Sequence, residues 1–225
     1  MKKLSVLQSL RLKYKPSLPS VLHKITSLTS IKKEWEGNID FQELFPQTFN
    51  LPFLSFKEGK SSSAPANPLR VGIVLSGGQA PGGHNVVTAA FDAVKQVHPD
   101  SKLIGFLNGP GGVIKNQYME LTQEMVAQYR NQGGFDIIGS GRAKIETAED
   151  FFAAGETLQK HSLDGLIIVG GDDSNTNAAF LAEYCMKMKI STRIIGVPKT
   201  IDGDLKNEFI ETSFGFDTAS KVYAE

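Results

Sequence analysis

From residue 69 onward the chain alternates short apolar runs with longer stretches whose apolar residues recur at helical spacing. The runs fall at 69–75, 102–107, 135–138, 164–169 and 193–197, and the helical stretches at about 85–97, 122–132, 147–161 and 175–189. The runs are mainly Ile/Val/Leu, continuous rather than alternating apolar and polar, which predicts strands buried on both faces. Strand and helix repeating at this spacing predict an α/β fold built on a doubly wound, mostly parallel sheet.

The first 56 residues read differently. They begin basic and turn aromatic (Trp35, Phe41, Phe45, Phe49, Phe53, Phe56), with Pro16, Pro19, Pro46 and Pro52 cutting them into short pieces. Such a segment is too small for a robust core of its own. It is expected to be a helical or irregular arm that packs its aromatics on the main domain or on a second subunit. Residues 57–68 have linker composition. The expected organisation is therefore an arm (1–56), a linker (57–68) and an α/β domain (69–225). The first 33 residues hold eight Lys/Arg and no acid, a feature shared with transit peptides, but only Arg11 of the eight is arginine. The expectation is a solvated amphipathic arm with Leu4, Val6 and Leu7 on one side.

Composition narrows the function. At 225 residues the chain has 40% hydrophobic and 21% charged residues, enough apolar material for a packed core. Lys+Arg and Asp+Glu are 24 each, so the net charge is zero, against nucleic-acid binding. No apolar run approaches the ~18 residues of a membrane span. The single cysteine, Cys185, fits a reducing compartment and hence the cytoplasm. The four histidines include no H-x-x-x-H pair, which argues against zinc.

Glycine carries the candidate chemistry. The loops after the five runs are residues 76–83, 108–112, 139–142, 170–174 and 198–204, and in an open parallel sheet all lie along the ligand-binding edge. Glycine turns ahead of helices suit phosphate, because backbone N–H groups and the helix dipole face the anion. Gly78-x-x-x-x-Gly83 is followed by His84 rather than Lys-Ser/Thr, so it is neither a Walker loop nor a dinucleotide fingerprint. Asp172, Asp173, Asp202 and Asp204 are expected to converge on the same edge, where they would repel phosphate unless a hard cation such as Mg2+ intervened. Lys199 and Arg142 supply fixed positive charge. Any single Asp could instead cap a helix, Asp173 or Ser174 being placed to do so. The set suits phosphoryl transfer, which needs in-line placement, charge screening and a base for the attacking hydroxyl. Whether Asp202 or Asp204 is that base is left open by their spacing.

Gly-Gly-Gln-Ala-Pro-Gly-Gly-His-Asn (77–85), Gly-Gly-Asp-Asp-Ser (170–174) and Pro-Lys-Thr-Ile-Asp-Gly-Asp (198–204) resemble the motifs of phosphofructokinases, and more closely those of the pyrophosphate-dependent, long-chain branch. The resemblance covers about 70–225 and extends weakly into 7–22, where Tyr14-Lys15-Pro16-Ser17-Leu18-Pro19 is similar to that branch's arm. It implies a catalytic chain for Mg2+-dependent, reversible phosphoryl transfer from pyrophosphate to the C1 hydroxyl of fructose 6-phosphate in glycolysis. It also implies a homo-oligomer, a dimer among the options. By position, Asp202 looks like the base, while Thr200, Ile201 and Asp202 look like the substrate-binding stretch, supported by Asp204. Asp172 resembles the magnesium-linked acid, and Gly77, Gly78 and Arg142 the pyrophosphate side. ATP-using relatives carry Gly where Asp173 and Lys199 stand here. The resemblance therefore implies that Asp173 repels a nucleotide α-phosphate and that Lys199 adds charge at pyrophosphate.

Three rivals remain: ATP as donor, a regulatory subunit that keeps the fold without turnover, and a sugar-phosphate-binding module. Asp173 and Lys199 argue against the first, and the presence of Asp172, Asp202 and Asp204 against the second. The family's Met-Gly-Arg motif for the sugar phosphate does not occur in these 225 residues. They are accordingly expected to be the amino-terminal part of a longer enzyme.

Overall fold

The computed structural model describes residues 4–15, 17, 28–33, 41–59, 67–205 and 214–224. Trp35, Pro16 and Pro19, most of the expected linker, and part of the 7–22 resemblance lie outside the described residues. In the arm, Val6–Lys13 forms helix α1, opened by a capping box in which Ser5 and Gln8 satisfy each other's backbone N–H groups. Leu28–Lys33 (β1) pairs antiparallel with Phe53–Glu58 (β2). This two-stranded sheet is absent from the expectation of a helical or irregular arm, and β2 runs two residues into the expected linker. One aromatic packs on the main domain as expected: Phe45 lies 5.0 Å from Phe180. Beside it, the Glu183 carboxylate accepts N–H bonds from Gln47 (2.8 Å) and Thr48 (2.9 Å). Leu4, Val6 and Leu7 remain exposed.

The main domain is a mixed but mostly parallel sheet with helices on both faces. Its elements in chain order are Arg70–Ser76 (β3), Gly83–Val97 (α2), Lys102–Phe106 (β4), Pro110–Ile114 (α3), Tyr118–Glu120 (β5), Gln123–Tyr129 (α4), Ser140–Gly141 (β6), Ala148–Lys160 (α5), Gly165–Gly170 (β7), Asp172–Lys187 (α6), Arg193–Pro198 (β8) and Phe216–Ala224 (α7). Strand order is β5-β4-β3-β7-β8, with β6 continuing the ladder on β3; only β5 runs antiparallel. Side chains leave each strand alternately. Ile73 and Leu75 pack with Val87 and Phe91 of α2 on one face, and Val74 packs with Leu158 of α5 and Leu181 of α6 on the other. Each such residue contributes about 1.5–3 kcal/mol on burial, which fixes the stacking of the three layers. Among the described residues no helix is long and apolar enough to cross a membrane.

Four local readings differ from expectation. The 135–138 run is buried but is not a strand, because its neighbours' backbone groups are used elsewhere. Gly133 and Gly134 carbonyls accept N–H bonds from Gly82 and His84, and the Ile138 carbonyl accepts one from Asn108. The sheet position is filled instead by β6. Residues 110–112 of the expected 108–112 loop belong to α3, which has Pro110 at its start, where a missing N–H costs nothing. The edge strand β5 was not expected. Finally, β8 is half exposed rather than buried on both faces, with Ile195 at 54% exposure, because among the described strands it pairs with β7 alone.

Candidate active site

The strand order brings the carboxyl ends of β3, β7 and β8 side by side, so the loops after them share one edge. They enclose a cleft of about 630 Å3. Gly77 turns there with φ +83°, a left-handed conformation that glycine adopts without steric cost. Its N–H donates to the Gly141 carbonyl at 2.8 Å, so that amide is not bare, contrary to the simple picture of a glycine cradle. Among the described residues the Gly78 N–H has no protein partner, and the Arg142 guanidinium approaches Gly78, because β6 extends the ladder beside β3.

Helix α6 starts at Asp172, three residues earlier than the pattern predicts, and Gly171 is its N-cap with no side-chain cap bond. Neither Asp173 nor Ser174 is the cap. Ser174 Oγ instead donates to Ser76 Oγ at 2.8 Å and joins the α6 start to β3. The uncapped first turn lines the cleft, so its free N–H groups and dipole face any anion there. Asp172 and Asp173 stand in that turn.

From β8, the Lys199 N–H donates to the Gly170 carbonyl at 2.9 Å and carries the ladder one residue further. Its ammonium turns back over the loop that follows β3, near enough that a Cβ on Gly77 would sit 3.9 Å from Nζ. Burial and the neighbouring Arg142 lower its pKa from the ordinary lysine value, while Asp202 opposes the shift. Thr200, buried, organises the rest of the loop. Its hydroxyl donates to Asp204 Oδ1 at 2.6 Å and accepts the Asp202 N–H at 3.1 Å. Its backbone bridges Gly215 through bonds with Phe214 and Phe216.

Seven of the sequence-derived positions therefore line one cleft: Gly77, Gly78, Arg142, Asp172, Asp173, Lys199 and Asp202. Asp204 does not join the other carboxylates; it is turned to Thr200. Thr200 and Ile201 do not line the cleft either, Thr200 being buried and Ile201 exposed. Lys144 was missed, although it also lines the cleft, its Nζ 3.4 Å from Asp173 Oδ2. Its spacing from Arg142 could have revealed it, since two residues apart in extended chain face the same way. Lys144 and Asp173 also border an adjoining cavity of about 400 Å3 walled by Ile145, Phe151 and Phe180.

Asp172 and Asp202 offer only oxygen, the donor type of a hard cation. Among the described residues no three Asp, Glu, His or Cys groups gather to hold a metal unaided. The residues fit a Mg2+ that takes a carboxylate from the protein and completes its shell with phosphate oxygens and water.

Residues 70–225 match the family model for phosphofructokinase. The chain is 50% identical over 224 residues to the pyrophosphate–fructose 6-phosphate 1-phosphotransferase of Porphyromonas gingivalis, covering 98% of this chain and 40% of that one. It is 49% identical over 235 residues to the protein of the same name from Treponema pallidum, covering 99% and 41%. Among solved structures, phosphofructokinase from Saccharomyces cerevisiae superposes with a TM-score of 0.57 at 26% identity, over 71% of this chain and 21% of that one. The chain thus spans about 40% of the length of these curated relatives.

Proposed function

The chain belongs to the phosphofructokinase family, and from that premise we propose that it provides the donor site and general base for phosphoryl transfer from pyrophosphate to the C1 hydroxyl of fructose 6-phosphate. The products are fructose 1,6-bisphosphate and phosphate, in a reversible, Mg2+-dependent step of glycolysis, carried out in the cytoplasm by a homo-oligomer of which a dimer is the simplest form. The observation that carries this reading is the pairing of charges in the cleft. Asp173 stands at its border with the adjoining cavity, and Lys199 lies over the donor glycine.

Pyrophosphate sits against Gly78, the first turn of α6 and the side chains of Arg142 and Lys199. Asp202 accepts the C1 hydroxyl proton as the sugar oxygen bonds to the near phosphorus. The bond from that phosphorus to the bridging oxygen breaks, and phosphate leaves with the electron pair. Lys199 and Arg142 stabilise the charge that gathers on the leaving phosphate. Thr200 holds the Asp202 backbone, and Asp204 fixes Thr200. When bound, Mg2+ supplies charge screening across donor oxygens beside Asp172. Asp173 disfavours a nucleotide by placing an anion where a longer donor would run from the cleft toward the apolar cavity.

The test is a coupled assay of the full-length enzyme with either donor, with and without a chelator. The expected result is turnover with pyrophosphate, little with ATP, and none after Mg2+ is removed. Faster turnover with ATP would refute the donor assignment, and full activity after chelation the metal requirement.

A further inference from the structure

Phe135 is 2% exposed and sits in the segment that no sheet ladder holds. The start of α2 clasps that segment instead. Gly82 N–H donates to the Gly133 carbonyl at 2.9 Å, and His84 N–H to that of Gly134 at 2.8 Å. Gly134 N–H donates to His84 Nδ1 at 3.1 Å, and His84 Nε2 meets Asp136 Oδ1 at 2.8 Å. The clasped ring lies directly on Gly83, where any Cβ would overlap it. On its other sides it stacks with Phe214 at 6.4 Å and carries the Lys199 ammonium 5.8 Å from its centroid. Phe214 is the residue whose carbonyl accepts the Thr200 N–H. One ring thus touches the end of the donor loop, the cleft lysine and the support of the Asp202 loop.

Lysine carries its charge on a flexible four-carbon stem and needs an anchor to point one way. Among the described residues no hydrogen bond or ion pair holds the Lys199 ammonium; Asp202 attracts it from across the cleft, and the Phe135 ring is the surface it lies over. An ammonium within about 6 Å of a ring centroid is attracted to the negative face. A carboxylate in the same place would also orient the lysine, but it would neutralise the charge that a phosphate must meet. An aromatic face holds the cation and leaves that charge available.

We propose that Phe135 is a positioning residue for phosphoryl transfer, its ring face holding the Lys199 ammonium over Gly77 where the donor phosphates bind. This rests on the donor reading above. Phe135 does not touch the donor and acts only through Lys199.

The experiment uses the full-length enzyme with phenylalanine at 135 replaced by mono-, di- and trifluorinated phenylalanine. These analogues keep the ring's shape while draining charge from its face. The expected result is a stepwise fall in kcat/KM for pyrophosphate, about two- to five-fold across the series. KM for fructose 6-phosphate and the melting temperature should stay constant, and the trend should vanish in a Lys199→Met background. Phe135→Leu, which keeps apolar bulk without a π face, should show a comparable loss. A flat series in an enzyme that uses pyrophosphate would overturn the role of Phe135 and leave the donor assignment standing. A wild-type enzyme that does not turn over pyrophosphate would sink the donor assignment and this inference with it.

Discussion

On the donor reading proposed above, the choice between pyrophosphate and ATP turns on Asp173, and Asp173→Gly and Asp173→Asn separate its charge from its bulk. Two unit charges 4 Å apart interact by about 4 kcal/mol at an effective dielectric of 20 and about 1 kcal/mol in water. The Asp173 side chain is 76% exposed and has Lys144 at 3.4 Å, so the low end of that range applies. A penalty of about 1–2 kcal/mol on a nucleotide phosphate is roughly a 5- to 30-fold effect on binding. Asn removes the charge and keeps the size, so it should recover that factor. Gly also opens the passage to the cavity walled by Phe151 and Phe180 and should gain more. Both lose a first-turn acid, at about 0.3–1 kcal/mol of stability, and Gly adds a helix-propensity cost. ATP affinity by calorimetry and kcat/KM for both donors measure the outcome, with thermal unfolding as the control. Unchanged ATP affinity in both variants would refute the repulsion argument. A gain confined to Gly would show that bulk, not charge, excludes the nucleotide.

Three further outcomes are expected. Asp202→Asn should lower kcat by about 10²- to 10⁴-fold with a much smaller change in KM, as steady-state kinetics will show. Because burial and Arg142 lower the Lys199 pKa, the alkaline fall in kcat/KM for pyrophosphate should centre below the ordinary value of 10.5, and Lys199→Arg, which stays charged, should remove that limb. Burial lowers the His84 pKa against the opposing pull of Asp136, so the unfolded chain takes up a proton that the folded one resists. Stability should therefore be fully present above about pH 6.5 and fall as pH drops below it, and denaturant titrations of His84→Gln should show a shallower acid dependence.

Much of the domain could be read in the linear pattern because it depends on near neighbours. The runs over 69–75, 102–107 and 164–169 are mainly apolar without alternation, which suits strands covered on both faces, and the helices between them repeat at 3.6 residues. The cleft residues were legible for the same reason: Gly77 and Lys199 follow a strand directly and Asp172 one residue later, and parallel strands bring their carboxyl ends to one edge. The arm's two-stranded sheet was not legible, since Leu28–Lys33 and Phe53–Glu58 are weakly patterned and meet across a long intervening segment.

What remained depends on which distant groups compete for the same backbone bonds. The 135–138 run looks like a strand, but α2 and Asn108 take the bonds around it and β6 takes its place on β3. Asp202 and Asp204 are equivalent in the sequence. They part because the buried Thr200 hydroxyl donates its hydrogen bond to Asp204 and leaves Asp202 at the cleft. Lys144 and Asp173 are 29 residues apart, and Phe135 and Lys199 are 64 apart. No local rule joins such pairs, because contact between them exists only once the sheet has set β6, β7 and β8 in order.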